Sequence, residues 1–269
     1  MEEALDVARI LVSLSFLLYA SWSDWRKREV SNRVWVAFGP LALALTTIQY
    51  VLFVPYYQRP DLLKLYVFSF LFISALSLML FYAGAFGGAD AKALICLSLS
   101  LPTYPLYPLQ FLTVFVSPLF PLTVFSNAVL LASLSVLYTL LHNSLWKLKT
   151  GRKLFEGLEK ESKWRKIAAV LSGYKVDVEK LEKSGYLYPL EDVREREDGE
   201  SERKLLTMPK DERRNEIIGR VKRAYEEGRL QGEVWVTPSL PLLVFITAGL
   251  IVALLYGDIV WTFLRSILV

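Results

Sequence analysis

The chain has 269 residues, 54% hydrophobic and 22% charged, with a net charge of +4, one Cys and one His. That composition excludes a disordered chain and an ordinary soluble globule, and Cys96 and His142 are too few for an intramolecular disulfide, a cysteine-cluster zinc site or a histidine-rich metal site. The small net charge points to a membrane surface rather than nucleic acid, and it is unevenly placed: residues 145–233 hold 22 of the 31 Lys and Arg and 19 of the 27 Asp and Glu.

In chain order, the first apolar span runs from Val7 to Trp22, with Arg9 placed to snorkel to the interface. Val34–Val54 and Leu65–Phe86 are free of charge and form the second and third. Ala93–Trp146 then runs 54 residues without Asp, Glu, Lys or Arg, roughly 80 Å as helix, more than one bilayer crossing of about 30 Å. Pro102, Pro105, Pro108, Pro118 and Pro121 fall in its middle, which divides it into two spans. Val236–Leu255, extending toward Leu264, is the sixth. No cleavable signal-peptide pattern stands at the start. The expected fold is a membrane α-helical bundle of six transmembrane helices. Residues 1–144 carry spans 1–5, residues 145–233 form a small cytoplasmic α+β insert, and residues 234–269 carry span 6.

Lys and Arg set the orientation. Arg26, Lys27, Arg28 and Arg33 follow span 1, Lys92 follows span 3, and Lys147, Lys149, Arg152 and Lys153 follow span 5. The opposite side holds Arg9, Arg59, Lys64 and Arg265. The expectation is a multi-pass plasma-membrane protein with both termini outside and the insert in the cytoplasm. Within the insert, Lys153–Leu171 and Asp211–Gly228 read as helices, and Tyr186–Leu190 and Glu233–Thr237 as strands. Glu191–Glu200 reads as a mobile acidic loop. Its Glu191, Asp192, Glu195 and Glu197 suit a basic partner, but a solvated charged loop is the plainer reading.

Eight acidic residues lie outside the insert. Glu2, Glu3 and Asp6 belong to the terminus, Glu29 and Asp61 to loops, and Asp258 to an interfacial end of the last span. Asp24 and Asp90 differ, because both sit at the cytoplasmic end of a span. Ionisable groups there are costly and often functional. Two carboxylates in one partly dry site cannot both ionise easily, so one keeps its proton while the other serves as base on a water. That is the acid and base pair that peptide hydrolysis needs. A helix cap or an interfacial charge is the bland alternative. Asp90 lies in Gly84-Ala-Phe-Gly-Gly-Ala-Asp-Ala-Lys92, whose small residues allow close backbone approach at a cavity or tight helix packing.

These segments resemble the membrane aspartyl proteases that process type IV prepilins, above all the archaeal preflagellin peptidase branch. Gly87-Gly88-Ala89-Asp90 matches the GxGD-type motif with Ala89 in place of the second glycine. With Ala91 and Lys92 it is similar to the GGADAK form of the archaeal branch. Asp24-Trp-Arg-Lys-Arg-Glu-Val-Ser-Asn32 resembles the other catalytic segment. Thr237-Pro-Ser-Leu-Pro241 resembles a third segment, a strand running into a Pro-containing helix start. Gly173-Tyr-Lys-Val and Tyr186-Leu-Tyr-Pro-Leu-Glu191 look like the soluble insert of archaeal members.

The resemblance implies an endopeptidase that removes short basic class III leaders from preflagellins or prepilins at the cytoplasmic face. Asp24 and Asp90 would be catalytic, with no metal and no cofactor. Gly87, Gly88, Ala89, Lys92, Asn32 and Pro238 would support them. Lys92 reads as a positive-inside anchor before it reads as a tuner of the pair, and Asn32 as the cap of the second helix. Pro238 and Pro241 would hold an irregular helix start near the site. The lack of a cysteine-rich domain implies no methyltransferase activity. Implied partners are preflagellin- or prepilin-type substrates and membrane lipid; nucleic acid is not implied, and the sequence fixes no oligomeric state. An ion- or proton-coupled transporter using the same two aspartates is the alternative, and a scaffold would need neither. Serine and zinc intramembrane proteases lack their motifs here.

Overall fold

A computed structural model of the chain describes residues 2–105, 116–195, 201–206, 214–230, 232–238 and 241–268. The chain divides into two compact units, residues 1–132 with 241–269, and residues 133–240.

The first unit is helical. Its helices are α1 (Glu2–Lys27), α2 (Asn32–Phe53), α3 (Arg59–Tyr82), α4 (Gly88–Ser100), α5 (Phe120–Ser133, its last residue in the second unit), α10 (Leu242–Tyr256) and α11 (Ile259–Leu268). Among the described residues, four stretches are long and apolar enough to cross a membrane: α1, α2, α3 and Phe120–Thr150. Their outward faces carry large exposed apolar side chains, among them Leu18, Trp22, Leu43, Phe68 and Leu71, as lipid requires. This is a multi-pass membrane protein.

α4 packs against α1, α2, α3 and α10. Its Leu94, Leu97 and Cys96 are buried in one core with Leu17, Phe38, Ile73 and Leu250. At 13 residues it is about 20 Å long, short of a bilayer crossing of about 30 Å. The uncharged run beginning at Ala93 therefore breaks early: α4 ends at Ser100, just before Pro102 and Pro105, and the next helix among the described residues starts at Phe120. Pro108 lies outside the described residues. The final apolar helix begins at Leu242, not Val236, because residues 233–238 pair in a sheet.

Polar groups deep in the unit fix where α4 sits. The carbonyls at its C-terminal end have no partner within the helix. Arg9 Nε of α1 donates to Ser100 O at 2.6 Å, and Thr46 Oγ1 of α2 donates to Leu99 O at 2.7 Å. Arg9 also donates to Asp6 and Gln49, and Gln49 Nε2 donates to Asp6 Oδ1 at 2.9 Å. Arg9 and Asp6 are only 3% and 4% exposed, so neither snorkels nor trails at a free end. A buried cation needs partners, which Nε and Nη1 have and Nη2 lacks among the described residues, and a cation at a helix C-terminus also complements its dipole. Asp258, also buried, accepts from the N–H of Trp261 and caps α11.

The second unit holds α6 (Ser135–Thr150), α7 (Lys163–Ser172), β1 (Tyr174–Asp177), α8 (Val178–Lys183), β2 (Leu187–Pro189), β3 (Glu191–Glu195), β4 (Ser201–Leu205), α9 (Arg214–Glu226) and β5 (Glu233–Pro238). β5 is the centre of a three-stranded antiparallel sheet ordered β1-β5-β2, with Lys175 opposite Trp235 and Tyr188 opposite Thr237. Gly173 enters β1 so close to its neighbour that a Cβ would lie 2.3 Å from Val236 O.

Several expectations for this unit change. The helix expected from Lys153 starts only at Lys163, because Gly151 ends α6 at φ +66 and Ser162 caps α7. Glu191–Glu195, the described part of the expected acidic loop, is instead strand β3, paired with β4. Glu191 and Asp192 are buried, ion-paired to Arg203 and Arg220, so neither is a solvated charge. Glu197 lies outside the described residues. His142 lies within α6, its ring 4.5 Å from that of Tyr174.

Candidate active site

Asp24 and Asp90 both belong to the first unit. Asp24 is in the last turn of α1, and its carbonyl accepts from the N–H of Arg28 at 3.0 Å. Arg28 takes the left-handed conformation at φ 56, which turns the chain out of the helix. Ser23 Oγ donates to Glu29 O at 2.8 Å and holds that turn. Asp24 itself is half-buried.

Asp90 is set by a different device. Gly84, at φ +76, ends α3. The N–H of Gly84 bonds Phe81 O and that of Ala85 bonds Leu80 O, both at 2.9 Å, a Schellman arrangement that only glycine enters without strain. The chain then reaches Gly87, the N-cap of α4, whose N–H donates to Asp90 Oδ2 at 2.9 Å. A Cβ on Gly87 would sit 3.0 Å from that same oxygen. The glycine before the aspartate therefore has a definite reason: it lets the carboxylate fold back onto its own backbone. Asp90 is thus a cap, as the bland reading held, and it keeps Oδ1 outside that bond. Gly88 opens α4, and a Cβ there would meet the Phe81 ring at an ordinary 3.6 Å. Ala89 packs against the core of the unit and Ala91 is buried in it.

The helices bring the two carboxylates to one end of the bundle. α1 and α4 are joined at the Arg9–Ser100 bond. From there Asp24 lies 15 residues along α1, about 22 Å, and Asp90 lies 10 residues back along α4, about 15 Å. The two carboxylates are within electrostatic reach of each other but share no hydrogen bond. Of the two carboxylates, Asp90 carries its own backbone donor, the Gly87 N–H.

The supporting residues divide. Lys92 Nζ donates to Asn32 Oδ1 at 2.7 Å, tying the start of α4 to the start of α2. Asn32 is not the cap of α2; Ser31 takes that place, its side chain accepting from the N–H of Arg33. Lys92 therefore makes a specific link between the two motif segments besides its charge. Lys92→Met and Asn32→Ala should each lower the melting temperature, and the double variant should lower it no further than the worse single one. Full additivity would show that the bond carries no energy. Pro238 is not at a helix start: it ends β5 opposite Leu187 in the second unit, while Pro241 precedes α10. β pairing thus runs through Thr237, where the strand was expected to end, and on to Pro238.

Sequence reasoning missed the Asp6, Arg9 and Gln49 cluster and the link from Ser21 Oγ to Thr247 Oγ1 at 2.7 Å, which joins α1 to α10 three residues before Asp24. Asp6 and Arg9 stand three apart on one helix face, and that spacing was the available signal.

Residues 11–141 match the type IV leader peptidase family, and residues 165–259 match archaeal peptidase A24 C-terminus type II. The chain is 28% identical over 258 residues to a preflagellin peptidase of Methanococcus voltae, covering 92% of this chain and 94% of that one. It is 24% identical over 254 residues to a preflagellin peptidase of Methanococcus maripaludis, with the same coverage of 92% and 94%. An uncharacterized protein of Methanocaldococcus jannaschii is 26% identical over 268 residues, covering 88% of this chain and 87% of its own.

Proposed function

We propose that this chain, whose residues 11–141 match the type IV leader peptidase family and residues 165–259 the archaeal peptidase A24 C-terminus type II, is an aspartyl endopeptidase that processes the leaders of preflagellin- or prepilin-type precursors. The observation that carries the mechanism is the pair Asp24 and Asp90, held on two packed helices within electrostatic reach. One carboxylate, ionised, takes a proton from a water as the water oxygen attacks the scissile carbonyl. The other, protonated, gives its proton to the carbonyl oxygen; as the resulting diol collapses it takes that proton back, and the first carboxyl passes the proton it took from water to the leaving nitrogen, which restores the pair. The two titrate as a pair, so neither is assigned a fixed part. The Gly87 N–H holds Asp90 without consuming its second oxygen. Gly87, Gly88 and Ala89 supply the tight entry to α4, and the Lys92–Asn32 bond steadies the segment.

The proposed topology has six crossings, with both termini outside, residues 145–233 as the cytoplasmic insert and the cut at the cytoplasmic face. The cluster Arg26, Lys27, Arg28 and Arg33 beside Asp24 supports it through the positive-inside rule. α4 and α10, short for lipid-facing spans, would cross within the shelter of their neighbours. No metal, cofactor or methyl transfer enters the reaction. Substrate and surrounding lipid are the proposed partners.

The test is cleavage in membranes of a reporter with a Lys-Arg-Gly leader before a hydrophobic helix, with the cut mapped by mass spectrometry. A single cut at the leader–helix junction is expected. The rate should follow a bell-shaped pH profile, because it needs one protonated and one ionised carboxyl. An intact reporter at every pH would reject the assignment.

A further inference from the structure

The second unit contains a cavity of about 300 Å³ lined by Arg152, Glu156, Lys175, Arg203, Arg229 and Glu233. Lys175 is its most unusual member. β1 places it opposite Trp235, and the side chain is only 7% exposed. Its Nζ lies 4.6 Å from the centre of the Trp146 ring and makes no ion pair or hydrogen bond among the described residues. A desolvated ammonium in that state is costly, and the ring face returns only part of the cost. Burial holds Lys175 below the usual lysine range, against the pull of Glu191, with Arg203 lowering it further and Glu233 and Glu156 raising it.

The nearby carboxylates are committed elsewhere. Glu191 accepts from Arg203 Nε, and Glu233 Oε1 accepts from Trp146 Nε1 at 2.9 Å. Arg203 is also held by Glu156 O at 3.2 Å and has room because residue 157 is glycine: a Cβ there would lie 2.6 Å from its guanidinium. Of the four cations in the lining, Arg203 is ion-paired with Glu191 and Arg229 with Glu227, which leaves Lys175 and Arg152 as those with no carboxylate partner among the described residues. Guanidinium forks and an ammonium are the donors that bind phosphoryl oxygens, and Glu156 and Glu233 keep lone pairs that accept from hydroxyls. The volume stands at the small end of the range for small-molecule sites.

We propose that this cavity binds a phosphomonoester carried on a polyol, with Lys175 and the arginines on the phosphoryl group and Glu156 and Glu233 on its hydroxyls. The same chemistry is found in a free polyol phosphate and in a phosphomonoester lipid headgroup.

The test uses the full chain in phosphatidylcholine nanodiscs, titrated with glycerol 3-phosphate, with glycerol as the neutral control. A parallel arm compares melting temperatures in nanodiscs with and without phosphatidic acid. Binding or stabilisation in either arm, absent with glycerol and weakened by Lys175→Met about tenfold or more, supports the site. The first arm assigns it to a free ligand and the second to lipid. Arg152→Ala, at an exposed position, should weaken binding too and decides the matter if the Met variant misfolds. No response in either arm, or variants that bind like wild type, overturns the proposal. Leader cleavage is not a readout, so the result stands apart from the peptidase assignment.

A pH effect provides a folding check. The folded chain releases the Lys175 proton at lower pH than the unfolded chain, which therefore binds more protons across the alkaline window below the ordinary lysine range. Stability from this group rises with pH there. Lys175→Met should flatten that rise and melt no lower than wild type at neutral pH; a steeper rise or a lower melting point would show that the ammonium is satisfied after all.

Discussion

Asp90→Asn should leave the protein folded and inserted while cutting leader cleavage by about 10² to 10⁴, the usual worth of a general acid or base. The substitution separates the two roles of this residue. An asparagine carbonyl oxygen can still accept the Gly87 N–H, which Asp90 Oδ2 accepts at 2.9 Å, so the cap survives. What is lost is the ability to ionise, and with it the exchange of a proton with water or the leaving nitrogen. Asp24→Asn should fail in the same way, because neither carboxyl of a coupled pair works alone. Activity within a fewfold of wild type for Asp90→Asn would mean that Asp90 is a helix cap and nothing more.

Gly249→Val should destabilise the protein by about 3 kcal/mol or more, at the upper end of overpacking costs. Gly249 lies on α10 where it crosses α5. A Cβ there would lie 2.6 Å from Val124 O and 2.9 Å from Ala128 N. Both neighbours are backbone, so no side chain can swing away, and α10 must move off α5. α10 also packs on α1 and α4 and is bonded to α1 through Ser21 and Thr247. The displacement therefore reaches the helices that carry the two aspartates, and cleavage should fall with stability. Thermal melting of the purified protein beside the cleavage assay measures both. An unchanged melting temperature would show that the α5–α10 crossing is loose.

Hydropathy makes α1, α2 and α3 legible in the sequence because each holds a long apolar window, free of charge in α2 and α3 and interrupted by Arg9 in α1, and lipid accepts little else. The tight entry to Asp90 was legible too, since a run of small residues ending in an acid has few other uses. The length of α4 was not. Absence of charge does not say where a helix stops, and the signal lies in the side chains of Arg9 and Thr46 that close its end. Nor was the hairpin of β3 and β4 legible. Glu191-Asp-Val-Arg-Glu195 and Ser201-Glu-Arg-Lys-Leu205 show no apolar alternation, and they are held by ion pairs to Arg203 and Arg220 that the sequence does not display. Arg9 misled for the same reason: its partner Gln49 is 40 residues away.

The most direct test of the account is cleavage of the Lys-Arg-Gly reporter by membranes carrying wild type or Asp24→Asn, each checked for equal expression and insertion. Asp24 is the sharper choice, because its side chain, unlike that of Asp90, has no capping bond to lose. The account predicts cleavage at the leader–helix junction by wild type and none by the variant. Equal cleavage by both would contradict the aspartyl pair, and no cleavage by wild type would return the two aspartates to an ion- or proton-binding role.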